Sequence, residues 1–215
     1  MPVIIGAVIV LVMLGLLGWL AWISIQSILQ GRVLRRALAL PQLKDNIDRV
    51  VSVHGAPEPA GPAYGPMGFP VLWYRKKYQE YHRSGKHGSW RTIDSEERTN
   101  EFFLNFPDGG RVRVMDKPTE VQGMQTRTDK ASMWSNQRTV YEWLPISPGI
   151  TVMGKLALSD TGATLTPDGK LGFLFSTHTP GGAAAIEIAK WIFGLLLVLG
   201  ALVFGLILAF SADFQ

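Results

Sequence analysis

Two long apolar stretches bracket the chain. Residues 3–25, VIIGAVIVLVMLGLLGWLAWISI, form one of 23 residues, and residues 191–210, WIFGLLLVLGALVFGLILAF, form one of 20. Either is long enough, as a helix, to cross a hydrocarbon core that needs about 20 residues. A cleaved signal sequence fits the first stretch poorly: no positive residue precedes it, it outruns the usual apolar segment, and no clean small-x-small cleavage site follows. Trp19 and Trp22 near the end of the first stretch, and Lys190 and Trp191 at the entry to the second, are the residue types that anchor at a bilayer interface. Gly194, Gly200 and Gly205 lack the four-residue spacing of a helix-dimerisation face. Neither stretch contains an ionisable residue, so neither offers a proton relay or ion path. Both read as anchors.

Between them the pattern changes twice. RVLRRALALPQLKDNI (32–47) places Val33, Leu34, Ala37, Leu38 and Leu40 at helical spacing until Pro41. Two readings fit: an amphipathic segment lying on the bilayer, or a basic continuation of the first helix. From Arg49 the period falls to two. RVVSV (49–53), the aromatic-rich run 70–83, NEFFLNF (100–106), RVRVM (111–115), 140–146, 150–158, 163–167 and 171–177 read as strands. Pro107-Asp108-Gly109-Gly110 makes a hairpin turn between two of them, and His82 and His87 flank a second turn. Residues 55–70, with five prolines and four glycines, read as loop, as do the polar residues 116–137. The expected fold is a membrane protein in which two transmembrane helices flank an all-β soluble domain, an antiparallel barrel or sandwich of six to eight strands. The expected divisions are 1–30 for the first helix, 31–48 for a basic juxtamembrane segment, 49–189 for the β domain, 190–211 for the second helix and 212–215 for a tail.

Charge sharpens this layout. The formal net charge is +4, and nearly all charged residues lie between Arg32 and Lys190. Arg32, Arg35, Arg36 and Lys44 cluster directly after the first helix, where basic residues mark the membrane surface. The bilayer is therefore an expected partner and nucleic acid is not. By the positive-inside rule the middle domain faces the cytoplasm. No cysteine occurs, which excludes disulfides, thiol nucleophiles and cysteine-based zinc or iron–sulfur sites.

Chemistry is sparse. There is no nucleophile elbow, phosphate-cradling loop, H-E-x-x-H helix or dinucleotide fingerprint. Catalytic residues, metal ligands and cofactors are not expected. An enzyme escaping these patterns would have to use His82, His87, Glu80 or Asp94. The aromatics Trp73, Tyr74, Tyr78, Tyr81 and Trp90 are divided between a core face and a face free for recognition.

Several segments together resemble a known family. WYRKKYQEYHR (73–83) followed by Trp90, Arg98-Thr99-Asn100 followed by Phe102 and Phe103, PDGGRVRVMDKP (107–118) and YEWLPISPGITVMGKLAL (141–158) lie between the two helices. This order resembles the GIDE domain, also called the beside-a-membrane domain, of a mitochondrial-anchored ubiquitin and SUMO ligase and its prokaryotic relatives. The resemblance spans about residues 49–210. The matching motif residues are Gln79, Glu80, His82, Trp90, Arg98, Thr99, Asn100, Gly149 and Gly154. It implies a structural or partner-binding role for them, a protein partner, and an oligomeric state that includes a homo-oligomer among the options. In the ligase a RING finger follows the second helix; here SADFQ follows it and no cysteine is present. The expectation is a non-catalytic, membrane-anchored interaction or sensing module, with a component acting in trans beside a separate RING or conjugation protein as the alternative. The family's topology places the domain in the intermembrane space, opposite to the side the charges indicate.

Overall fold

No proline interrupts the chain between Pro2 and Pro41, and the first apolar stretch opens one continuous helix, α1 (Pro2–Arg35). Arg32 and Arg35 therefore ride on the helix itself, and the continuation reading of 32–47 holds up to Arg35. The computed structural model describes residues 2–38, 40–63, 65–84, 87–107, 109–130, 135–160 and 162–212, with 2–14, 16, 40, 41, 84, 201, 202 and 204–212 described by backbone alone. A short helix α2 (Leu40–Leu43) and a 3-10 turn (Lys44–Asn46) carry the chain into the strands. At the other end, Thr179 caps α3 (Pro180–Ala212): its hydroxyl accepts the Gly182 N–H at 3.4 Å, and its carbonyl accepts that of Ala183. Pro180, with no N–H to leave unsatisfied, suits the first helical position. Over Pro180–Gly200, α3 is long and apolar enough to cross a membrane. It starts ten residues before Lys190, within the segment expected to belong to the β domain.

The strands are β1 (Val50–Pro59), β2 (Val71–Ser84), β3 (His87–Thr99), β4 (Phe102–Asn105), β5 (Arg111–Val114), β6 (Glu120–Gln122), β7 (Gln125–Lys130), β8 (Gln137–Pro145), β9 (Ile150–Ser159), β10 (Gly162–Thr166) and β11 (Leu174–Ser176). β1, β4, β5, β10 and β9 pair in that order, and β9 pairs back onto β1 to close a five-stranded ring. Every pair in the ring is antiparallel except β5 with β10. This connectivity is that of an OB-type Greek-key barrel. β11 and β6 extend the sheet from β9. The remaining strands form a second sheet, ordered β3-β2-β8-β7 and antiparallel throughout. The expectation of a mostly β middle with a barrel or sandwich is met.

Alternation explains the barrel's core. Phe102 and Leu104, Val112 and Val114, and Ile150 and Val152 all point inward and are fully buried, with Trp73, Phe173 and Phe175 among them. On β9 the odd positions face outward, and Met153 meets Leu174, Leu34 of α1 and Ala183 and Ala184 of α3. The two helices thus pack against the barrel wall as well as against one another. Gly31 lies within reach of Ala184, Glu187 and Ile188, and Ser24 lies beside Gly194, which makes the helix pair antiparallel.

Two loop readings are corrected. Residues 56–59, APEP, pair with 105–102 as the second half of β1. The Ala60 N–H donates to the Glu101 carbonyl at 3.0 Å, so by the two-residue period Ala56 and Glu58 also point toward β4 while Pro57 and Pro59 point away, where no N–H is needed. Gly55 marks the change of partner from β9 to β4: a Cβ there would stand 2.6 Å from the Asn105 carbonyl oxygen. Within 116–137, β6 and β7 are strands in which Val121 is the one apolar residue, lying at sheet edges where one side faces solvent. With β3 (His87–Thr99) pairing back onto β2, the count among the described residues reaches eleven.

Candidate functional site

β2 begins in the core and ends in solvent. Val71 to Tyr74 are buried, the next six residues are half-buried, and Tyr81 to Arg83 are exposed. Among the described residues the outer half of this sheet therefore lacks an apolar core, and polar contacts hold its faces. On one face the odd residues of β2 form a ladder with their cross-strand neighbours. The Trp73 Nε1–H donates to Glu97 at 2.8 Å, Arg75 lies between Glu97 (3.7 Å) and Glu142 (3.8 Å), and Lys77 meets Glu142 at 2.6 Å. Gln79 donates to the Thr92 hydroxyl at 3.1 Å and accepts from Arg138 Nε at 2.7 Å. The Arg138 guanidinium lies 4.2 Å from the ring centre of Trp90, which also meets Lys130 (5.7 Å) and Tyr81 (5.3 Å). Cations over an indole face are electrostatically attracted to it.

The opposite face has different chemistry. The Tyr74 hydroxyl donates to Glu96 at 2.8 Å, and burial together with that carboxylate raises the phenol's pKa above its ordinary value, which keeps the donor protonated. Lys76 lies against Tyr78 and Tyr141, and His82 faces Glu80 at 3.4 Å. Phe69, from the loop before β2, meets Trp143 edge-on.

The motif residues read from sequence thus separate into groups. Gln79 and Trp90 share the ladder face; Glu80 and His82 lie on the other. Arg98 is exposed near the end of β3, and the Thr99 hydroxyl is buried without a hydrogen-bond partner among the described residues. Asn100 is structural: its side chain donates to the Val71 carbonyl at 2.7 Å and its N–H to that of Leu72, locking the start of β2. Gly154 allows Phe173 to lie within 2.6 Å of where a Cβ would stand, and Gly149 gives room to His54. Arg138, Glu142, Lys77 and Glu97, which complete the ladder, were not singled out from sequence. Their signal was the density of charge in 95–98 and the charges set among apolar residues in 137–145, which becomes informative only once the strand register is known.

A second polar centre lies where the helices join the barrel. Glu187 of α3, 1% exposed at its side chain, accepts from Gln122 at 2.6 Å and from Lys190 at 2.8 Å, and Lys190 also pairs with Glu120. Of the basic residues expected at the membrane surface, Arg32 and Arg36 line one cleft with Asn46 and Ser52; Arg35 and Lys44 are exposed outside it. Among the described residues no group of three or more acidic or histidine side chains is placed to hold a metal ion. The fold and these two centres describe an OB-type barrel with a projecting sheet and a docked helix pair. No protein-family model, curated protein or solved structure matches the chain.

Proposed function

We propose that this chain is a two-pass membrane protein that presents a non-catalytic recognition module beside the bilayer. α1 and α3 cross as a packed antiparallel pair, with the barrel held against the surface by their docked ends. Trp19, Trp22, Phe193 and Leu196 each expose more than half of their surface, as lipid-facing side chains do. The basic residues after the first span support a cytoplasmic side for the barrel by the positive-inside rule. This reading accommodates the GIDE resemblance without ligase chemistry.

The observation that carries the recognition role is the outer sheet. It projects from the barrel with both edge strands, β3 and β7, exposed along most of their length, and its ladder holds the surface in one geometry without a core. A fixed array of aromatic and charged side chains is suited to binding a protein surface. Charges along β3 (Arg91, Asp94, Glu96, Arg98) oppose indiscriminate strand pairing.

A photo-crosslinking residue placed at Ile93 on β3 or Thr128 on β7, in intact membranes, is expected to give a discrete higher-mass adduct. The same residue at Leu158, exposed on the barrel, is expected to give none. Equal labelling from all three positions, or none from the outer sheet, would overturn the assignment. Protease added outside sealed cells should leave the barrel intact; its cleavage would reverse the orientation.

A further inference from the structure

The end of α1 and the start of β1 enclose a cleft lined by Arg32, Arg36, Asn46 and Ser52, together with Val33 and Val51. No carboxylate lines it, and neither arginine forms an ion pair among the described residues. Asp48, nearby in the chain, is engaged by Lys155 at 3.1 Å. Ser52 is fully buried, and its hydroxyl has no hydrogen-bond partner among the described residues, although its carbonyl accepts the Leu38 N–H at 2.8 Å. A buried hydroxyl left unpaired is uncommon and calls for an explanation. Asn46 uses one amide hydrogen on the Gln42 carbonyl at 2.8 Å and keeps the other. Each polar side chain of the cleft can therefore offer a donor: two guanidinium groups, an amide N–H and a hydroxyl. That set matches an anion with several oxygens, above all a phosphate.

The depth of the cleft identifies which phosphate. Gly31 packs against Ala184, Glu187 and Ile188, so Arg32 stands level with residues three to seven positions before Trp191, where the apolar stretch begins. At 1.5 Å per residue this is roughly 5–10 Å outside the hydrocarbon, within the headgroup layer. Arg36 is one turn further out, and its long side chain can reach back toward that layer.

We propose that this cleft holds the phosphate of an anionic phospholipid headgroup. The inference rests on the reading of α1 and α3 as a membrane-spanning pair. The test uses the full chain reconstituted in vesicles of phosphatidylcholine, with and without phosphatidylglycerol, and then extracted in mild detergent so that retained lipid can be identified by mass spectrometry. Phosphatidylglycerol should be enriched over phosphatidylcholine. Arg32→Gln and Arg36→Gln should each reduce the enrichment about fivefold, and Ser52→Ala should reduce it less. Arg35→Gln removes the same charge outside the cleft and should leave the enrichment unchanged. Equal enrichment of both lipids, or equal loss from Arg32→Gln and Arg35→Gln, would overturn the site. Inorganic phosphate that binds the detergent-solubilised protein as well as it binds Arg32→Gln is expected; saturable phosphate binding lost in Arg32→Gln without lipid enrichment would assign the cleft to a soluble phosphate and overturn the lipid assignment. Release of the wild-type chain from vesicles by alkaline carbonate would instead refute the two-span reading, and this inference with it.

Discussion

Strands β9 and β2 are of comparable length, ten and fourteen residues, and are held by different forces. In β9 every residue from Ile150 to Gly154 is buried, packed by the barrel interior on one side and by the ends of α1 and α3 on the other. In β2 burial stops at Tyr74, and from Arg75 outward the strand is fixed by the charges and amides of β3 and β8. Apolar burial is strong and indifferent to the identity of a partner. A polar ladder is weaker and directional, and it presents the same groups to solvent that it uses to hold its shape. The first region sets stability, and the second supplies the surface to which the proposed recognition role is assigned.

The contrast is broken most severely from the barrel side. Phe175 is fully buried and meets Phe102 and Phe173 edge-on at 5.6 and 5.1 Å. Phe175→Ala should cost about 3–5 kcal/mol, read as a lowered denaturation midpoint of the purified full chain. The two motif glycines then separate by their surroundings. A Cβ at Gly154 would stand 2.6 Å from the Phe173 ring and 2.8 Å from the Thr166 carbonyl oxygen, while at Gly149 it would meet the half-buried ring of His54 at 3.0 Å. Gly154→Ala should cost about 1–3 kcal/mol by overpacking. Gly149→Ala should stay within about 0.5 kcal/mol, because the imidazole can move aside.

These differences show which parts of the molecule the sequence reveals. The apolar stretches, the hairpin around Gly109 and the alternation of RVRV are local signals, and they gave two helices, a turn and a strand. The second half of β1 was hidden because Pro57 and Pro59 signal a loop; only the neighbouring β4 shows that their missing N–H groups face away from the pairing. β6 and β7 were hidden because edge strands need no apolar face. The helix ends were misplaced for a related reason. Glu187 and Lys190 look like the end of a soluble domain, but Gln122 and Glu120 satisfy them inside the helix–barrel junction. Of the candidate site residues, Gln79 and Trp90 come to one face through Arg138, and Arg138 and Glu142 owe their places to a cross-strand register that no local pattern encodes.

On the outer sheet the largest effect should come from Lys77. Its ammonium meets Glu142, whose side chain is only 10% exposed, and Arg75 stands further off at 3.8 Å. Lys77→Ala leaves a mostly buried carboxylate with one distant partner, which should cost about 1–2 kcal/mol. In the Glu142→Gln background the same change should cost much less, since the charge that needed Lys77 is gone. A double-mutant cycle measures this coupling directly. Additive effects would mean that the ladder is not a connected unit.

Of the two outer-sheet changes, Trp90→Ala should have the smaller effect on stability and the clearer effect on recognition. The indole is only half-buried and lies in no core, so its removal forfeits the contacts with Arg138, Lys130 and Tyr81. Cation–π pairs at such exposure are worth about 0.5–1 kcal/mol, and Gln79 still holds Arg138 by its side-chain hydrogen bond at 2.7 Å. The denaturation midpoint should therefore move less than for Lys77→Ala. The Ile93 adduct should nevertheless weaken, because Trp90, Tyr81 and Arg138 are the groups that this end of the sheet offers a partner. If Trp90→Ala destabilises the chain as much as Phe175→Ala, the outer sheet is an extension of the core and the division between the two regions fails. If it changes neither stability nor the adduct, recognition belongs to the opposite face, around Lys76, Tyr78 and Tyr141.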